Sequence, residues 1–66
     1  MKIFLNGEEA ECEDRISVQE LLQRHRLSPE TMLVELNGSA LHRREWAAQK
    51  LRPNDRLEIL RVAAGG

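Results

Sequence analysis

Cysteine is almost missing from this chain. Its single copy, Cys12, has no internal partner, so no disulfide framework can hold the fold. Four thiolates for an iron–sulfur cluster are likewise excluded within one chain. Cys12, His25 and His42 make up the whole stock of Cys and His, and their spacings match no zinc finger. No apolar run approaches the roughly 18 residues that cross a bilayer. The N-terminus lacks a charged start followed by an apolar stretch and a small-residue cleavage site. The expected address is therefore the cytoplasm. There is no phosphate-cradling glycine loop of the Walker type and no G-x-G-x-x-G, so the chain is not expected to bind a nucleotide itself. With a formal net charge of -1, nothing draws it generally to nucleic acid or membrane, and neither is expected as a partner.

What is present is one small domain of 66 residues. Domains near this size bury only about 60% of the surface their unfolded chains expose, so the core is thin and a roomy enzyme cleft is not expected. Apolar residues make up 41% and charged residues 32%, which suits a folded domain rather than a disordered one. The charge is uneven. Residues 1–36 hold eight acids and four bases, whereas residues 37–66 hold three acids and six bases, giving a mildly basic second half.

Alternation and turn chemistry give the elements. Met1–Leu5 reads as a strand with Met1, Ile3 and Leu5 on one face, and Asn6-Gly7 as a tight hairpin turn. The returning strand is expected over Ala10–Glu13, with Ala10 and Cys12 inward and Glu9, Glu11 and Glu13 outward. An acidic row of that kind keeps an edge strand from pairing with other chains, a reading preferred over an acidic binding site. Ser17 can cap a helix whose Glu20 reaches back to it, and Ile16 and Leu21 have hydrophobic-staple spacing. Val18, Leu21, Leu22 and His25 form the stripe that would meet a sheet. Ser28-Pro29 stops that helix by Leu27.

Met32–Leu36 reads as a third strand, and Asn37-Gly38 as a second turn. Ala40-Leu41 is at most a short strand, and Arg44–Gln49 a short helical turn anchored by Trp46 and Leu51. Pro53-Asn54-Asp55 is turn chemistry, and a last strand runs from Arg56 to Val62 with Leu57 and Ile59 inward. Strand, hairpin, strand, helix, strand, short strand and strand make an α+β fold. It is a mixed sheet of four to five strands with one helix on one face, the β-grasp order. Residues 1–62 are expected as the β-grasp domain and 63–66 as a flexible tail.

The functional signal is that tail. Ala63-Ala64-Gly65-Gly66 extends from the last strand with nothing bulky on it and would reach about 13 Å beyond the fold. Gly66 has no Cβ beside its carboxylate, so reactive groups can approach closely. By itself a terminal glycine pair is weak, since termini commonly fray. A carboxylate so presented suits activation to an acyl adenylate, and a chain without a nucleotide site needs a partner to supply the ATP. Carrier or modifier then fits better than enzyme. Cys12, at an inward strand position, reads as a small buried hydrophobe rather than a reactive thiol, and His25 as a structural residue near a helix end. His42 falls in a loop beside Arg43 and Arg44.

Across its length the chain resembles the ThiS family, the sulfur carriers of thiamine biosynthesis. The resemblance rests on Met1-Lys2-Ile3-Phe4-Leu5-Asn6, on Val18-Gln19-Glu20-Leu21-Leu22, and on Asn37-Gly38 followed by Arg43 and Trp46. It continues through Asp55 to Val62-Ala63-Ala64-Gly65-Gly66. It implies that no cofactor is bound and that Gly66 is adenylated by an E1-like, ThiF-like enzyme and becomes a thiocarboxylate. Gly65 and Ala64 would let the tail thread. It further implies a sulfur-donating desulfurase or rhodanese-like protein, and a ThiG-like thiazole synthase that receives the sulfur, with the free chain monomeric. His42 stands where the family often has proline, and Asn54 where it often has glycine. Two alternatives share the tail: the small subunit of molybdopterin synthase and a protein-conjugating ubiquitin-like modifier.

If the inward set faces the helix, Phe4, Leu33 and Leu60 point from the uncovered side of the sheet. Two readings stand, a docking patch for a partner and apolar residues packed under loops. Arg43 and Arg61 are candidates to steer association.

Overall fold

Two Asn-Gly steps set the frame. In the computed structural model, which describes residues 1–25 and 32–61, Asn6 and Gly7 have φ of 51° and 84°, and Asn37 and Gly38 have 52° and 85°. Positive φ at both central positions is the type I′ geometry whose twist matches paired antiparallel strands, and Asn followed by Gly tolerates it best. The first turn joins β1 (Lys2–Leu5) to β2 (Glu8–Glu11), with Leu5 opposite Glu8. The second joins β3 (Met32–Leu36) to β4 (Ser39–Leu41), with Leu36 opposite Ser39. β2 thus starts two residues before the expected Ala10 and ends at Glu11, because a two-residue loop sets Glu8 directly across from Leu5. Its faces are as expected: Ala10 packs against the core, as does Cys12 just beyond the strand, and Glu9 and Glu11 are exposed.

β5 (Arg56–Arg61) enters the middle of the sheet, giving the order β2-β1-β5-β3-β4. It runs parallel to β1 and antiparallel to β3. Val62, the expected end of this strand, lies outside the described residues. The central position accounts for Leu57, whose side chain is fully buried between β1 and β3 together with Ile3 and Val34.

One helix covers the sheet. α1 (Val18–Arg24) is only seven residues long, too short to persist alone in water. Two local devices hold it. Ser17 Oγ accepts from Glu20 N at 3.1 Å, and Glu20 Oε1 accepts from Ser17 N at 3.1 Å, closing the capping box. Ile16 and Leu21 on either side of the cap are both buried. Val18, Leu21 and Leu22 then pack onto the inner face. The helix stops at Arg24 with His25 as its cap, short of Leu27, and His25 is exposed rather than part of the buried stripe. As the C-cap, with φ of -87° and ψ of 4°, His25 has already left helical geometry. His25 instead lines a shallow open hollow with Leu5, Asn6, Ile59 and Arg61. Leu27, Ser28 and Pro29 fall outside the described residues.

The segment after β4 returns over the helix start. A 3₁₀ turn at Arg43–Glu45 leads to Trp46, which is buried and donates from Nε1 to Leu41 O at 3.2 Å. Val18 N donates to Gln49 O and Leu51 N to Ile16 O, each at 2.9 Å, locking this segment to the helix entrance. Asn54 has φ of 68°, the left-handed geometry its side chain tolerates, and its N–H donates to Lys2 O at 2.7 Å. This five-stranded mixed sheet with one helix is the β-grasp, ubiquitin-like fold.

Candidate functional site

Alternation along β3 and β5 decides what the uncovered face presents. Val34 pairs with Ile59 and Leu36 with Leu57 beneath the helix. The residues between them therefore project to the other side. Leu33 is paired directly with Leu60, and the two are 58% and 50% exposed. A single exposed leucine means little, but two in direct cross-strand contact form a patch rather than a scatter. Among the described residues nothing covers them.

Phe4 shares this face but not the patch. It pairs with Arg56, four residues before Leu60 on β5, which places it about 13 Å away along the strand. It does not cluster with the two leucines as expected, because the parallel register of β1 sets it beside the start of β5 rather than its end. Its half-buried ring lies between two cations, with Lys2 Nζ at 5.4 Å and Arg56 Cζ at 5.2 Å from the centroid. Such contacts contribute about 0.5–1 kcal/mol each at exposed sites. Lys2 also approaches Glu9 at 3.9 Å.

Arg43 opens the 3₁₀ turn beyond the edge strand β4 and is exposed. The turn is braced by Glu45 Oε1, which accepts from His42 N at 2.9 Å. Arg61 is opposite Met32 and belongs to the helix side of the sheet, where it borders the hollow with His25. Gly66, Gly65 and Ala64, the expected chemical site and its tether, lie outside the described residues, as does Ala63.

The strand leading toward that tail is clamped from both flanks, which turn chemistry alone did not disclose. Asn6 Oδ1 accepts from Ile59 N at 2.7 Å. Asn37 Oδ1 accepts from Arg56 N at 2.9 Å, and its Nδ2 donates to Asp55 Oδ1 at 3.0 Å. Asp55 Oδ2 in turn accepts from Arg52 N at 2.8 Å. Each turn asparagine therefore does two jobs, taking positive φ in its own hairpin and satisfying a β5 backbone donor. Only the first is written in the local pattern.

Four titrating groups are held off their ordinary values, among them Arg24, raised by its hydrogen bonds to Glu13. Burial pushes the Cys12 thiol up, which keeps it protonated and fits a packing role. Glu13 is held low by the forked hydrogen bonds from the Arg24 guanidinium. Glu20 is held low by the Ser17 backbone N–H it accepts. Among the described residues no three His, Cys, Asp or Glu side chains gather to hold a metal ion. No described helix is long and apolar enough to cross a membrane.

Comparison with known proteins agrees with this geometry. The model of the ThiS family matches residues 3–66. The crystal structure of the thiamine biosynthesis protein ThiS from Geobacter metallireducens superposes with a TM-score of 0.87 at 30% identity, covering all of both chains. A thiazole synthase from Magnetococcus marinus is 33% identical over all 66 residues, although this chain spans only 20% of that protein's length. The uncharacterized protein ycf40 of Porphyra purpurea is 29% identical over the whole chain and 93% of its own length.

Proposed function

The chain belongs to the ThiS family, and on that premise we propose that it carries sulfur for thiamine biosynthesis as a thiocarboxylate on Gly66. The observation that carries this reading is the extent of the family match, which runs through the sheet and on to Gly66. In the first step a ThiF-like partner uses ATP. A carboxylate oxygen of Gly66 attacks the α-phosphorus, pyrophosphate leaves, and an acyl adenylate forms. The outer sulfur of a cysteine persulfide on a desulfurase or rhodanese-like donor then attacks the acyl carbon, AMP leaves and an acyl disulfide forms; a second thiol attacks the donor's sulfur, making a disulfide with it and releasing the Gly66 thiocarboxylate. The thiocarboxylate delivers its sulfur to a ThiG-like thiazole synthase. The match to a protein named thiazole synthase supports that last partner.

The chain is in this reading a substrate of its partners in the cytoplasm, not a catalyst. Its contribution is mechanical. The Asn6 and Asn37 side chains fix β5, so a tail continuing from that strand is presented in a defined direction. Such presentation lowers the entropic cost of inserting the carboxylate into a partner's site. Gly65 and Ala64 are the slim tether. Leu33 and Leu60 form the centre of the docking surface, with Phe4 and Arg43 at its periphery.

Intact mass of the chain from its native cell, grown without external thiamine, tests the proposal. The expected result is a fraction heavier by one sulfur replacing one oxygen, with fragmentation placing the change on Gly66. An unmodified mass under thiamine starvation would remove the carrier reading.

A further inference from the structure

The parallel ladder between β1 and β5 outlasts β1 itself. Phe4 N donates to Asp55 O at 2.8 Å and Asn6 N to Leu57 O at 2.9 Å. In a parallel ladder of this register the next rung runs from Ile59 N to the main-chain oxygen of residue 6. Asn6 is also the first central residue of the hairpin turn, and its φ of 51° takes the backbone off the strand path. Its side-chain Oδ1 fills that rung instead, accepting from Ile59 N at 2.7 Å. Among the described residues this is the last tie that β1 and its turn make to β5 before Arg61. Asn37 makes the matching contact at the start of the strand, where its N–H donates to Arg56 O at 2.8 Å and its Oδ1 accepts from Arg56 N at 2.9 Å.

We propose that Asn6 is the positioning residue for the carboxylate of Gly66: its Oδ1 sets the level at which β5 is released from the β1 side of the sheet, and so the direction in which the chain runs on. The turn by itself does not require that oxygen, because glycine takes positive φ at least as readily. The acceptor is what favours Asn or Asp over Gly here. Freed at Ile59, the strand would be held from the β3 side alone over Ile59, Leu60 and Arg61. The carboxylate would then sweep a wider volume, and inserting it into a partner's site would cost more entropy. Asn37 grips β5 three residues further from the tail and has less leverage on it. The inference rests on the carrier reading above and adds to it the side chain that aims the tail.

The test follows single-turnover adenylation of the full-length chain by excess ThiF-like enzyme, with enzyme concentration varied, and thermal unfolding of each free chain. The natural sequence is compared with Asn6→Gly, Asn6→Asp and Asn37→Gly. Asn6→Gly is expected to lower the maximal rate about fivefold, the scale of one hydrogen bond, with little change in the half-saturating enzyme concentration. Asn6→Asp keeps the acceptor and is expected to restore the rate. Asn37→Gly removes two side-chain bonds, to Arg56 N and to Asp55 Oδ1, so it should destabilise the chain at least as much yet slow adenylation less. If the rates instead follow stability, with Asn37→Gly the slower substrate, the role of Asn6 is confined to the fold and the inference is overturned. Adenylation of the natural chain with an undiminished rate for Asn6→Gly overturns it while sparing the carrier reading. Absence of adenylation of the natural chain overturns both.

Discussion

The two faces of the sheet are built from the same strands and obey the same alternation, yet they do opposite work. On the helix side Ile3, Val34 and Leu57 are packed under Val18, Leu21 and Leu22, and their identity is dictated by the space between layers. On the other side Leu33, Glu35, Glu58 and Leu60 meet solvent. Removing an inward side chain leaves a void, whereas removing an outward one leaves water. Fold information is therefore concentrated on one face, and the other is free to carry information for partners. In so small a domain, an open sheet face offers a broad surface for that purpose.

The sharpest way to break this contrast is a pair of truncations three residues apart on one strand, facing opposite sides. Leu57→Ala should destabilise the chain by about 2–5 kcal/mol, because the cavity forms in the core between sheet and helix. Leu60→Ala on the same strand should stay within about 0.5 kcal/mol. Denaturant titration of both variants decides the matter, and equal losses would erase the distinction between faces. Next in size is Leu60→Asp, expected to leave the chain folded while weakening its complex with the adenylating enzyme about tenfold. Unchanged affinity would remove the outer face from docking. Ser17→Ala should cost about 1 kcal/mol through loss of the helix cap, measured by thermal unfolding, with no change in binding if the two faces act independently.

The smallest effect is one of pH. Glu20 has its carboxyl held below its ordinary value of 4.5 by the Ser17 N–H. A carboxyl depressed on folding adds stability that is fully present above the unfolded value and is lost as pH falls through the folded one. The stability of the natural chain should therefore decline below about pH 4.5, and Glu20→Gln should flatten that decline. A stability curve of the same slope in both would show that the capping carboxylate makes no pH-dependent contribution.

Much of this was legible in the residues. The Asn-Gly turns, the Ser17–Glu20 cap, β3 from Met32 to Leu36 and the inward set of β5 all depend on neighbours a few positions away. Where reading along the chain missed, the deciding contact was distant. β2 slipped because hairpin pairing, not composition, chose its first residue. His25 left the helix stripe because the helix ends at Arg24, before it. Phe4 separated from Leu60 because a parallel register sets their levels.

The sequence alone determined which residues turn, which cap, and which side of each strand is apolar, since these follow from backbone preferences and side-chain periodicity. It also carried the marks of the ThiS family, down to Gly65 and Gly66. Only the tertiary structure decided that β5 lies between β1 and β3, which puts Leu33 against Leu60 and Glu35 against Glu58. The same placement lets Asn6 bond Ile59 across 53 positions and Asn37 bond Arg56 across 19. The reason is that strand order and register are set by the whole core at once, while a single strand records only which of its faces is wet.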